Sequence, residues 1–298
     1  MPAVPDPASE GIAEPRQLAG AEDEDHHEHD QQQLAGSEVP HGARTLARML
    51  PPAFLRRDRP LVWGHRGASA EAPENTMEAF ALAARMGADG VELDVQRCGT
   101  GEVVVLHDES LGRTTGRAAL IAETPWSVVR TLDAGSRKSP RFAGARVPLL
   151  AEVLAGTGEL LLNIELKCDH ADDRGLTAEV TRLIADASAG TRVLLSSFNP
   201  LCLFRARALA PRIARALLFE EAVAWPLRRA VTAPALGVAA LHPQVSLATA
   251  AQVARWRRRG YSVAAWTVDD VERAAALWAS GVAGIITNRP DRMRARWP

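Results

Sequence analysis

From residue 60 onward the chain alternates short apolar runs with longer stretches of helical period, and few architectures accommodate that rhythm. The runs that read as strands are Leu61–Gly64, Gly90–Val95, Val103–Leu106, Leu160–Leu166, Val193–Ser196, Ala214–Leu218, Gly237–Ala240, Ser262–Trp266 and Gly284–Thr287. Stretches that read as helices, Thr76–Met86, Ala178–Ala187, Pro200–Leu209, Ala248–Arg259 and Asp270–Ala279, separate most of them. A strand that returns parallel to its predecessor needs a long crossover, usually a helix. Eight or so such units close into an α/β fold of the (β/α)8 TIM-barrel type, here with a small insertion. An open doubly wound sheet is the alternative, but no GxGxxG turn is present to support a dinucleotide site.

The first part of the chain follows no such rhythm. Residues 1–58 read as an acidic, His-containing extension, and 59–298 as the barrel domain. Residues 1–40 carry ten Asp/Glu and only Arg16 as a cation, with no apolar period, which predicts disorder. His26, His27 and His29 stand there among carboxylates, with nothing to fix a metal geometry, so the segment reads as a solvated tail. ARTLARMLPPAFLRR (43–57) has the period of a helical turn or two, stopped by Pro51-Pro52. The remaining chain holds 34 basic against 26 acidic residues, an excess that suits an anionic small molecule and is too diffuse for nucleic acid. Cys98, Cys168 and Cys202 form no CxxC, no apolar run is long enough to span a bilayer, and the N-terminus lacks a signal-peptide pattern. Those features point to a cytoplasmic protein with reduced thiols and no integral membrane segment.

Side chains alternate along a strand, so residues two apart share a face. In VELDV, the apolar set Val91, Leu93 and Val95 belongs against the helices, which turns Glu92 and Asp94 into the barrel. In LLNIELK the same parity sends Leu162, Ile164 and Leu166 outward and Asn163, Glu165 and Lys167 inward. Unpaired buried charge costs several kcal/mol, so three inward carboxylates need compensation. Ion pairs, Glu165 with Lys167 and Glu92 with an arginine, would supply it. A hard divalent cation suits the set better, and oxygen-only ligands favour Mg²⁺ or Ca²⁺ over zinc.

Two histidines add chemistry to this cluster. His65 ends the first apolar run, inside GHRG, and His107 follows VVVL, on the side of Val103 and Val105. Imidazole titrates near neutrality, so two such residues beside carboxylates suggest a general acid and a general base. Asn75 reads as a helix N-cap with Glu78 as its capping-box partner, which would make Glu74-Asn75-Thr76 structural. Lys167 is one of two lysines, with Lys138, in an arginine-rich chain, and a compact point charge suits phosphate.

His65-Arg66-Gly67, Pro73-Glu74-Asn75-Thr76, Glu92-Leu93-Asp94, His107-Asp108, Glu165-Leu166-Lys167, Trp266-Thr267-Val268 and the closing GVAGIITNRP resemble, in that order, the glycerophosphodiester phosphodiesterase family. The likeness runs from about residue 60 to 292. It implies a barrel with one divalent metal ion that hydrolyses small-molecule glycerophosphodiesters to sn-glycerol 3-phosphate and an alcohol. By resemblance, Glu92, Asp94 and Glu165 are the metal ligands and His65 and His107 the acid/base pair. Arg66 and Lys167 bind the phosphate, and Trp266 lines the glycerol side. Ala283 and Asn288, at the last strand, depart from or vary within the family pattern and are expected to bear on substrate preference. A lysophospholipase D is the nearest rival. It needs an apolar groove, and 111–147 shows little exposed-looking apolar sequence. A catalytically dead binding module should have lost a histidine or an acid, and none is missing. An amidohydrolase-type metal site would want HxH where only His65 stands.

Overall fold

The computed structural model describes residues 50–55, 58–168, 170–223 and 230–298; the acidic tail with His26, His27 and His29 lies outside them. Its nine strands are β1 (Leu61–His65), β2 (Gly90–Arg97), β3 (Val103–Val105), β4 (Leu161–Leu166), β5 (Val193–Ser197), β6 (Ala214–Phe219), β7 (Ala240–Pro243), β8 (Ser262–Ala265) and β9 (Gly284–Thr287). All but β3 are parallel, in the order β1-β9-β8-β7-β6-β5-β4-β2, and the β1–β2 pairing closes the ring. This is the expected (β/α)8 barrel. Helices pack around it, among them α1 (Met77–Arg85), α2 (Leu150–Gly156), α3 (Leu176–Asp186), α4 (Pro200–Leu209), α5 (Ala250–Arg258) and α6 (Val271–Ala279).

Two strand expectations need correction. Val103–Val105 is not a barrel strand but pairs antiparallel with β2 through Val95, Gln96 and Arg97. On that edge β1 pairs only with Gly90, Val91 and Glu92, so β3 covers the backbone that β2 carries beyond β1. The run read as a strand from Gly237 begins instead at Ala240. Gly237 has φ +60 and ends the short helix Ala233–Leu236, a C-cap conformation that glycine adopts without penalty.

The parity argument holds where it was applied within strands. Val91, Leu93, Val95, Leu162, Ile164 and Leu166 join one outer core with Phe80 of α1 and Val180 of α3. Inside the barrel, Leu61, Trp63, Leu194, Ala214, Ala216, Ala240, Ala264 and Ile286 form a separate cluster, with alanines making room for the Trp63 indole. Leu50 and Phe54, which the sequence places in the extension, belong to this cluster, and Phe54 stacks on Trp63 at 5.8 Å between ring centroids. Burial of a phenylalanine contributes about 1.5–3 kcal/mol, so the segment around Phe54 is part of the barrel floor.

His242 also faces this interior from β7. It is buried, its Nδ1 has no partner among the described residues, and desolvation pushes its pKa down to about 3. The ring is therefore neutral in the folded protein, while the unfolded chain binds a proton near pH 6.5. The unfolded state binds more protons between those values, so stability is complete above about pH 6.5 and lost as pH falls. The expected slope is up to about 1.4 kcal/mol per pH unit. Urea unfolding at pH 7.5 and pH 5.0 measures it: His242→Gln should lose about 2 kcal/mol less than wild type on acidification. An equal loss would mean that protons bind elsewhere.

Candidate active site

The carboxylates come together at the C-terminal end of the barrel because β2 and β4 are neighbours. Their register sets Glu92 beside Asn163 and Asp94 beside Glu165. Glu92, Asp94 and Glu165 are all buried, and each offers an oxygen within 4.8 Å of the others. Burial first, and then repulsion from Asp94 and Glu165, holds the Glu92 carboxyl well above its usual range. Burial and the charge of Asp94 push Glu165 up to about 7, against the opposing pull of Lys167. The expected Glu165–Lys167 pair is present, with Lys167 Nζ 3.0 Å from Glu165 Oε1, but the arginine pairs with Asp94 instead of Glu92, Arg66 Nε lying 3.3 Å from Asp94 Oδ2. The Arg66 Nε contact is one of charge, since Nε lacks hydrogen-bond alignment. Two cations against three crowded acids leave a concentration of negative charge with oxygen donors only, and that fits a hard divalent cation.

The GHRG turn is built for proximity. A Cβ on Gly64 would meet Gly67 O at 2.9 Å, and one on Gly67, at φ +85, would meet Ala79 of α1 at 2.6 Å. Arg66 takes φ +56, an unusual value for a side chain of its size. There its backbone N–H donates to Glu92 Oε2 at 3.0 Å, and Nη1 donates to Glu74 at 2.9 Å. Asn75 is the second non-glycine residue with positive φ in this region, at +57. It is not the helix cap expected of it: Thr76 caps α1 by accepting from Ala79 N. Asn75 instead clasps Asp94, donating from Nδ2 to Oδ2 at 2.8 Å and accepting from the Asp94 backbone N–H at 3.3 Å. Strain at such positions persists where surrounding contacts over-determine it.

The hydrogen bonds around His65 specify its tautomer. Asn288 Nδ2 donates to Asp269 Oδ2 at 2.7 Å, so its Oδ1 is turned toward Ser69 Oγ and His65 Nδ1, both at 2.8 Å. An amide oxygen only accepts, so Nδ1 carries the proton and Nε2 keeps its lone pair. Desolvation, followed by the charge of Arg66, lowers the His65 pKa and favours the neutral ring. His107 lies beyond the end of β3, where strand parity no longer applies. Its Nδ1 meets Asp108 Oδ1 at 2.7 Å and its Nε2 meets Lys167 Nζ at 3.3 Å. Arg113 joins the two halves of the site, donating to Asp108 and to Glu74. Its hydrogen bonds bring Asp108 down to about 2. Burial would raise Glu74, but bonds from Arg113 and the charge of Arg66 outweigh it and bring that carboxyl also to about 2.

A cavity of about 510 Å³ opens over these groups, lined by His65, Arg66, Glu92, His107, Glu165 and Lys167 on one side. Phe198, Leu218, Glu220, Val223, Trp266 and Ile286 contribute to its lining as well. Of the residues expected to bind metal, phosphate or glycerol or to move protons, only Asp94 is absent from the lining, held by Arg66 and Asn75. Trp266 stands edge-on to Phe198, with centroids 5.6 Å apart, and its indole N–H donates to His242 O. Ala283 is far from any substrate role: it lines the barrel floor with Leu50 and Phe54, at the opposite end of β9 from the rim. Sequence reading passed over Phe198 and Glu220, although each continues the inward parity of its strand by one step, after Ser196 and Leu218. Arg113 and Asp269 gave no comparable signal, since only folding brings them to the site.

A (β/α)8 barrel with a charged cavity at the C-terminal rim of its strands has the architecture of a barrel enzyme. Residues 65–292 match the model of the Glycerophosphoryl diester phosphodiesterase family. The chain is 35% identical over 235 residues to the glycerophosphodiester phosphodiesterase of Caldanaerobacter subterraneus, covering 78% of this chain and 96% of that protein. An Oleispira antarctica phosphodiesterase, solved in complex with the product sn-glycerol-3-phosphate, superposes with a TM-score of 0.72 at 33% identity. That match covers 80% of this chain and 96% of the other. The glycerophosphodiester phosphodiesterase of Agrobacterium tumefaciens gives 0.68 at 28% identity, over 79% and 99%. The chain belongs to the glycerophosphodiester phosphodiesterase family and is an enzyme.

Proposed function

We propose that the protein hydrolyses glycerophosphodiesters to sn-glycerol 3-phosphate and an alcohol, with one divalent metal ion held by Glu92, Asp94 and Glu165. The observation that carries this reading is the buried three-carboxylate cluster flanked by His65 and His107 at the cavity wall. A Mg²⁺ or Ca²⁺ bound there supplies charge neutralisation at the phosphodiester oxygens. Arg66 and Lys167 add fixed positive charge on the same side, Lys167 as a point charge able to move between Glu165 and the substrate phosphate. His65, proton on Nδ1 and lone pair on Nε2, takes the proton of the attacking oxygen. His107, steadied through Nδ1 by Asp108, would protonate the departing alkoxide from Nε2 in its imidazolium form, after Lys167 has left that nitrogen for the phosphate. Trp266 shapes the side that receives glycerol. The three free cysteines support a cytoplasmic setting, and no helix among the described residues is long and apolar enough to cross a membrane. Residues 59–298 then form the catalytic domain, and the preceding segment is an extension whose Leu50 and Phe54 close the barrel floor.

The lysophospholipase D reading rests on a different observation. Leu201 and Phe204, one turn apart on α4 after Phe198, are 47% and 58% exposed. In the 111–147 segment, by contrast, Leu120 is the one large apolar side chain well exposed. A coupled dehydrogenase assay for glycerol 3-phosphate separates the two readings. With glycerophosphocholine, EDTA should abolish release and Mg²⁺ or Ca²⁺ should restore it. Turnover of lysophosphatidylcholine alone, read as choline release because the other product is a lysophosphatidic acid and not glycerol 3-phosphate, would replace the first reading by the second.

A further inference from the structure

The cavity has a second charged feature, away from the acid cluster. Along β6, Ala214 and Ala216 face the barrel interior and Leu217 and Phe219 the outer core. The same alternation carries Leu218 and then Glu220 into the cavity. Glu220 makes no hydrogen bond or ion pair among the described residues. The other carboxylates on the wall are engaged, Glu92 by the Arg66 N–H and Glu165 by Lys167. In the order β1-β9-β8-β7-β6-β5-β4-β2, β6 stands diametrically across the barrel from β1, which bears His65 and leads into Arg66. Phe198, set perpendicular to Trp266, and Val223 line the same cavity with no polar side-chain group of their own.

Resting on the phosphodiesterase reading, we infer that Glu220, with Phe198 and Val223, forms a subsite for a cationic amino-alcohol head group on the phosphodiester. The charge layout matches such a zwitterion. Phosphate meets Arg66 and Lys167 on one wall, and an ammonium on the alcohol arm meets a free carboxylate and an aromatic face on the other. A neutral polyol head group would leave Glu220 without a countercharge, and an anionic one would be repelled by it.

The test compares glycerophosphocholine with its neutral 3,3-dimethylbutyl ester, which has the same shape without the charge. Wild type should favour the choline ester in kcat/KM by about tenfold, the order expected of one carboxylate and one aromatic contact. Glu220→Gln should bring that ratio close to one, mostly through KM and mostly by loss on the choline ester. Calorimetric binding of both esters gives the same comparison without turnover. A protein that hydrolyses neither ester but loses its binding preference on Glu220→Gln would keep the subsite and refute the phosphodiesterase reading. Equal handling of both esters by wild type, or an equal loss on both in Glu220→Gln, would overturn the subsite, the latter by assigning Glu220 to the glycerol moiety.

Discussion

His65→Ala should slow glycerol 3-phosphate release by about two to four orders of magnitude, the usual worth of a positioned acid or base. The expectation follows from how the ring is held. Asn288, itself oriented by Asp269, accepts from Nδ1, so one nitrogen is committed and the other faces the cavity as a lone pair. Burial and the neighbouring Arg66 guanidinium keep that ring neutral, as a base must be before it acts. His107→Ala should cost a similar factor, and the double variant little more, since groups acting as a unit do not add. Metal affinity, read by calorimetry, should stay within a few-fold of wild type in each single variant. A large loss of metal in either would make that histidine a ligand and remove it from proton transfer.

Glu92→Ala should abolish metal-rescued activity and, with it, the thermal stabilisation that Mg²⁺ or Ca²⁺ confers on the wild type. A ligand that binds only the folded state raises stability by mass action, so melting with and without metal reads the site independently of turnover. Glu92 is buried close to Asp94 and Glu165, and burial together with their negative charge holds its carboxyl well above the usual range. In EDTA, therefore, Glu92→Gln should melt higher than wild type, because folding no longer has to bury or protonate a third carboxyl there. In excess metal the order should reverse. Wild type and variant gaining equally from metal would place the cation elsewhere.

The acid cluster was legible because strand parity is a local property. VELDV and LLNIELK each offer one apolar set that must meet helices, and the carboxylates fall on the other face whatever the rest of the chain does. The same logic failed two residues past a strand end, at His107, where the backbone leaves the pleat. The link from Arg97 to Val103 was a missed signal, since five residues are too few for a crossover and enough for a hairpin. Asn75 misled for another reason. Asn is a good N-cap by type, but its φ of +57 and its paired bonds to Asp94 put it in the site, and Thr76 became the cap.

The sequence by itself determined the alternation of strand and helix, the inward carboxylates and the histidines at strand ends, because each depends on neighbours within a few residues. Only the tertiary structure decided which side chains hold them, Asn288 on His65 and Arg113 between Asp108 and Glu74, and set Glu220 across the cavity from Arg66. Asn288 lies 223 residues from His65, and the two meet because β9 pairs with β1 when the barrel closes. Closure is a property of the whole ring, and local period carries no record of which strands it joins.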